Sequence, residues 1–509
     1  MTAGKRDHAS PLMRRKAACR LNAHRSFFMT AGMTSFPGMV RPVLETSLGQ
    51  SCLASIACLL AGGAWWWFSH PVFALAVGLA PFAILAALRQ PFLMVLGFLI
   101  FSFFRIHEVF PALYPLHIPQ FLAFATLGAL AWNLFTRRIE MFWSRELTAF
   151  AIFFMLVSIG VALATNRAEA LDGYTGTFVK IAVMTVAMSW LVTGHKEFRL
   201  AARFIVLAGI TVGLVAIYNQ LNGIGLIEGT RVTIGRDIGS MLGDPNDLAL
   251  VLLFPASFTL GLMMSPGIRW YEKLFGAAAF VIILMAVIAT QSRGGLLGIA
   301  AVIGVFAYRR IRSKTLVVII GVTAVAALFI IADISGRESG GAVEEGMGES
   351  AMGRIYAWEA AFSMALANPL TGVGIKNFLP NYFFYSNYWD GRNHAVHSTW
   401  FGVLAETGFL GLSVYLAMIV ATLKSVLASL RLLVPDAMPG NKYQPHAYAM
   451  GQAVLAGLVG FLVSGTFLTM GFTWPVYTLL ALAVGVSRYA MTQINTQNEK
   501  APSERSARA

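Results

Sequence analysis

Fourteen apolar stretches of helical length succeed one another between residues 52 and 487, more than a soluble fold can bury. They run near 52–68, 71–88, 91–104, 118–135, 147–164, 177–193, 204–221, 246–264, 274–290, 294–308, 315–332, 408–426, 447–468 and 473–487. Several lie close to the roughly 17-residue minimum for a helix that crosses a bilayer. The same lengths, with no alternation of apolar and polar positions, argue against a strand barrel. With 57% hydrophobic and 12% charged residues, the chain has too little polar surface to coat a globule of 509 residues. Lipid has to solvate it, and the expected fold class is an all-α polytopic integral membrane protein with about 12–14 transmembrane helices.

Charge then sets a topology. A net charge of +14 could suggest nucleic acid, but the basic residues fall between apolar stretches, so no nucleic-acid partner is expected. Assigning alternate gaps to opposite faces puts about 28 of the 38 lysines and arginines on one side and nine on the other, with Lys180 inside a span. The positive-inside rule makes the rich face cytoplasmic and places both termini there. The expected organisation is a basic, disordered cytoplasmic extension over 1–50, spans over 51–332 with a far-face loop near 222–245, and a large far-face loop over 333–407. Further spans over 408–488 and a cytoplasmic tail over 489–509 complete it. Cys19, Cys52 and Cys58 show no CxxC spacing and no neighbouring histidine cluster, so neither a disulfide framework nor a metal site is expected. No DxD pair or histidine cluster suggests a cofactor or a bound metal either.

The few arginines on the far face run against the charge bias. Arg231 and Arg236 lie in GTRVTIGRDIGSMLGDPNDLAL; Arg293 lies in QSRGGLLG, where two glycines permit close backbone approach. A guanidinium at the membrane surface can hold phosphate oxygens through two parallel bonds, and it can equally snorkel or bind lipid head groups. In NHAVHSTWFGVLAETGFLGL (393–412), His394 and His397 precede a helix that re-enters the membrane. An imidazole with a pKa near ~6.5 suits removal of a proton from a sugar hydroxyl. Ser398 is placed to cap the helix and fix the ring's approach. Glu406 is nine residues beyond His397, about half a turn off its face, so cooperation between them requires the helix to break between them. Residues 353–367 read as an amphipathic helix stopped by NPLTGVG (368–374), and Trp389, Trp400, Tyr382 and Tyr385 are available to stack on sugar rings. A transporter is disfavoured by the scarcity of acidic residues within the spans.

The spacing H-[NS]-x7-E-x-G-x-x-G formed by His397, Ser398, Glu406, Gly408 and Gly411 resembles the O-antigen ligase and polymerase superfamily. QSRGGLLG (291–298), GRIYAWEAA (353–361) and NPLTGVGIKNF (368–378) resemble it in the expected order, so the likeness covers roughly 225–415. The resemblance implies a GT-C-type, metal-independent, inverting glycosyltransferase of the bacterial inner membrane, with the large loop on the periplasmic face. It implies a glycan donor linked to undecaprenyl diphosphate and an acceptor that is a lipid A core, a growing glycan or a protein hydroxyl. Carried over by motif, His397 is the base or orienting group and Arg293 grips the diphosphate. Arg231 and Arg236 match by position in the preceding loop, and Arg354, His394 and Glu406 take supporting places.

Overall fold

The computed structural model describes residues 47–68, 71–192, 194–331, 351–434 and 443–506. The basic extension over 1–50 falls outside this range except for its last four residues, as do the glutamate-rich start of the large loop and the last three residues of the tail. The chain divides at Ala86/Ala87 into two units, each described by itself. The first holds α1 (Ser47–Phe68) and most of α2 (Pro71–Arg89), which meet where a methyl added at Gly78 would lie 2.8 Å from the Cβ of Ala61.

In the second unit every remaining apolar stretch is helical. The first half holds α3 (Pro91–Phe103), the single turn α4 (Ile106–Val109), α5 (Ile118–Phe135), α6 (Arg145–Leu163), α7 (Arg167–Gly173), α8 (Val179–Leu191) and α9 (His195–Asn222). There follow α10 (Pro245–Met264), α11 (Trp270–Ala289), α12 (Arg293–Arg310) and α13 (Lys314–Ile331). The large loop contributes α14 (Ala351–Ala367) and α15 (Phe378–Tyr385), and α16 (Thr399–Leu433), α17 (Pro445–Ser464) and α18 (Trp474–Ser506) close the chain. Among the described residues the one extended pairing is an isolated bridge between Ile227 and Arg231.

Eight helical segments among the described residues are long and apolar enough to cross a membrane. This is fewer than 12–14 because some apolar stretches sit on helices that are short or charged: α12, for example, carries Arg293, Arg309 and Arg310. The protein is a multi-pass, all-α membrane protein.

α10 and α17 form the centre, each with 83% of its apolar window buried. Small residues let them cross closely. A methyl at Gly261 of α10 would lie 2.9 Å from the carbonyl oxygen of Ala449, and one at Gly460 of α17 would lie 2.6 Å from the side chain of Val302 on α12. One end of the bundle is tied by Glu272, which pairs with Arg203 at 2.5 Å and lies 3.5 Å from the His446 ring. These residues belong to the first turns of α11 and α17 and to α9. The opposite end, about 30 Å away along a 20-residue helix, gathers residues 223–244, 290–293, 351–398 and 465–473.

Candidate functional site

Arg293 is the first residue of α12, and Ser292 before it is the N-cap, its hydroxyl accepting from the Gly295 N–H at 3.2 Å. The same hydroxyl donates to Asn246 Oδ1 at 2.9 Å, where Arg231 Nη2 also donates at 3.1 Å. Arg231 Nε donates to the Thr290 carbonyl at 3.3 Å. The structure thus brings Arg231 and Arg293 to one helix junction and gives them different situations. Arg231 is buried and spends donors on protein, whereas Arg293 is exposed and makes no hydrogen bond or ion pair among the described residues. The two glycines after Arg293 face protein: a methyl at Gly295 would lie 2.5 Å from the Cβ of Ala249, and one at Gly294 would lie 3.2 Å from the Cβ of Phe467. They seat α12 on its neighbours, so the close backbone approach they permit is to other parts of the protein. Arg236 is exposed, in a short turn over Arg236–Ile238.

His397 sits at the other side of this end of the bundle. It is half-buried and holds a φ of 41°, a left-handed conformation that few non-glycine residues adopt. Ser398 occupies the N-cap position of α16, but its hydroxyl makes no capping bond and is buried without a partner among the described residues, contrary to the expected cap. The helix start is fixed instead by Thr399. Its N–H donates to the Gly465 carbonyl at 2.8 Å, and its hydroxyl donates to the Leu468 carbonyl at 2.6 Å and accepts from the Met470 N–H at 3.1 Å. Trp400 Nε1 adds a bond to Thr466 Oγ1 at 3.1 Å. The turn over 465–473 between α17 and α18 therefore holds the start of α16, and its Phe467 packs on the start of α12. Arg293 and His397 flank one turn.

Upstream, His394 Nε2 faces both carboxylate oxygens of Asp390 at 3.0 Å, and this bond holds the Asp390 carboxyl below the usual carboxylate range. Trp358 Nε1 donates to the Val396 carbonyl at 3.0 Å, and its ring stacks on Phe401 at 5.1 Å, so the helix that carries GRIYAWEAA braces the residue just before His397. Arg354 is half-buried on that helix.

α16 does break, but beyond Glu406 rather than between it and His397. Gly408 has φ 69° and ψ −174°, and a methyl there would lie 2.5 Å from the Pro369 carbonyl oxygen. Into this break fits the NPLTGVG turn: Phe409 N–H donates to the Pro369 carbonyl at 2.8 Å, Val373 N–H to Ala405 at 2.9 Å and Gly374 N–H to Glu406 at 3.2 Å. The Glu406 carboxylate accepts from the Phe378 N–H at 3.3 Å, capping α15. Two sequence motifs are thus one structural joint.

Residues 278–416 match the family model described as O-antigen ligase. That match, over about a quarter of the chain, supports an O-antigen ligase/polymerase-type membrane enzyme. No curated protein matches the chain.

The matched region contains Arg293, Arg354, His394, His397 and Glu406, and leaves Arg231 and Arg236 outside. Sequence reasoning missed the residues that hold these groups. Asn377 is the largest omission: its Oδ1 accepts from Asn166 N–H at 2.8 Å and Thr165 Oγ1 at 3.0 Å, and its Nδ2 donates to the Asn166 carbonyl at 3.1 Å. Lys376 beside it pairs with Asp172 at 2.8 Å. Of the four aromatics proposed for stacking, Tyr382 is buried against the His394 ring and Trp400 is committed to Thr466, while Trp389 is 46% exposed. Among the described residues no group of three or more His, Cys, Asp or Glu side chains gathers as metal ligands do.

Proposed function

We propose that the protein transfers a glycan from undecaprenyl diphosphate to a hydroxyl of a lipid A core on the periplasmic face of a bacterial inner membrane, with 333–407 as the periplasmic catalytic loop. The observation that carries this reading is that the start of α12, which bears the exposed Arg293, and the start of α16, which follows the half-buried His397, are both held on the 465–473 turn, and both residues lie within the region matched to the O-antigen ligases. Arg293, free of protein partners among the described residues, neutralises charge as it develops on the departing diphosphate, and Arg236, exposed in the preceding loop, supplies a second cation for the donor. Arg231 holds the junction from which Arg293 projects. His397 takes the acceptor proton as the hydroxyl oxygen bonds to the anomeric carbon and the bond from that carbon to the diphosphate oxygen breaks. One displacement inverts the anomeric centre. The arginine-poor face supports the periplasmic placement.

The test is His397→Ala in the native host, with lipid-linked and surface glycans resolved on one gel. Loss of surface glycan with long chains accumulating on the carrier is expected. Single repeat units on the final acceptor would indicate a polymerase instead, and unchanged glycans on both would remove His397 from catalysis. Arg293→Lys keeps the charge and loses the planar fork, so a fall in transfer of about tenfold or more is expected; full activity would make Arg293 structural.

A further inference from the structure

A segment outside the region matched to the family meets the loop that carries Arg236. After α3 the chain turns at Arg105, whose left-handed φ of 55° brings its guanidinium back onto Glu108, Nη1 to Oε1 at 2.5 Å. Glu108 is 6% exposed, and its other oxygen accepts a hydrogen bond from Ser240 Oγ at 2.6 Å, across 132 positions of sequence. Both oxygens of a buried carboxylate are therefore occupied, one by a cation of its own turn and one by a hydroxyl of the distant loop. Such charge-assisted bonds are the strong ones. His107 is buried beside them, its Nε2 3.6 Å from Glu108 Oε1. Burial lowers the imidazole's pKa although Glu108 pulls it upward, so the neutral ring leaves the carboxylate to Arg105 and Ser240.

Ser240 shares a tight turn with Arg236. Its N–H donates to the Gly235 carbonyl at 3.0 Å, Gly239 N–H donates to the Arg236 carbonyl at 3.0 Å, and a methyl at Gly243 would lie 2.9 Å from the Arg236 Cα. The Arg231 half of the loop is fastened to α11 through Val232 N–H and the Ala289 carbonyl, at 3.2 Å. Over 235–243 the Ser240 bond is the one side-chain hydrogen bond to another part of the chain among the described residues.

We propose that Glu108 and Ser240 form a tether that positions Arg236 toward the donor's diphosphate, so that the segment over 105–109 sets donor affinity without touching the donor. This rests on the reading of Arg236 given above. The buried anion fixes the turn's backbone, and the turn fixes where an otherwise mobile, exposed guanidinium can reach.

The experiment uses the full-length protein in lipid vesicles with a lipid-diphosphate-linked glycan as donor, and compares Ser240→Ala, Ser240→Thr, Arg236→Gln and the Ser240→Ala/Arg236→Gln pair. Ser240→Ala should raise KM for the donor about tenfold, with kcat changed by less than about twofold. Ser240→Thr, which keeps the hydroxyl, should restore KM. In the Arg236→Gln background, Ser240→Ala should add nothing, because the serine acts through the arginine. A wild-type KM in Ser240→Ala while Arg236→Gln is impaired, or additive effects in the double variant, would overturn the tether alone. A wild-type KM in Arg236→Gln while His397→Ala abolishes transfer would remove Arg236 from the donor site and the tether with it.

Discussion

Single residues of one chemical type have been given opposite tasks by their surroundings. Arg231 and Arg293 lie at one helix junction, and the difference between them is the set of acceptors within reach: Thr290 and Asn246 engage the first, and no described residue engages the second. Ser398 shows the reverse case, a polar group left without a partner where interiors nearly always supply one. On the proposed reading, an acceptor bound at the neighbouring His397 would supply the missing partner. Ser398→Ala should therefore leave thermal stability unchanged or raise it by up to about 1 kcal/mol, while slowing transfer. A clear loss of stability on thermal unfolding would mean that the hydroxyl has a structural partner in the resting protein. The sequence spacing exposed Ser398 as an N-cap, but the start of a helix can be fixed by tertiary bonds in place of a local cap. Here Thr399, through bonds to Gly465, Leu468 and Met470, does so from 66 to 71 residues away.

At the level of elements, the break in α16 joins pieces that look independent along the chain. Gly408 is required twice, once for its positive φ and once because the Pro369 carbonyl occupies the place of a side chain. Gly408→Ala should cost ~2 kcal/mol or more, seen as a lower unfolding temperature and reduced yield of folded protein; wild-type stability would show that the joint yields easily. The helices themselves were legible, since a run of apolar residues of spanning length has few alternatives in lipid. The joint was legible only as two motifs in order, because the bonds that connect them run between backbone groups, which carry no signature in residue identity. The bond that Glu406 makes was illegible for the same reason. Its partner is the N–H of Phe378, and any residue at 378 other than proline would have supplied one.

For the whole molecule, hydropathy located the spans and gave no guide to their arrangement. Of the eight candidate spans, the two most buried, α10 and α17, have mean hydropathies of 1.8 and 1.6, below the 2.3 of α9 and 2.2 of α6, which are less buried. In lipid the outward face is as apolar as the packed core, and the centre is marked by small residues such as Gly261 and Gly460 rather than by oiliness. That centre ends in the turn over 465–473, on which both α12 and α16 begin. Helices that begin on a shared pivot can lean with the thickness of the surrounding bilayer while points beside the pivot keep their separation. Transfer by donor-saturated protein should accordingly vary little between vesicles of short- and long-chain lipids, whereas a sharp optimum at one thickness would show that Arg293 and His397 drift apart as the bundle tilts.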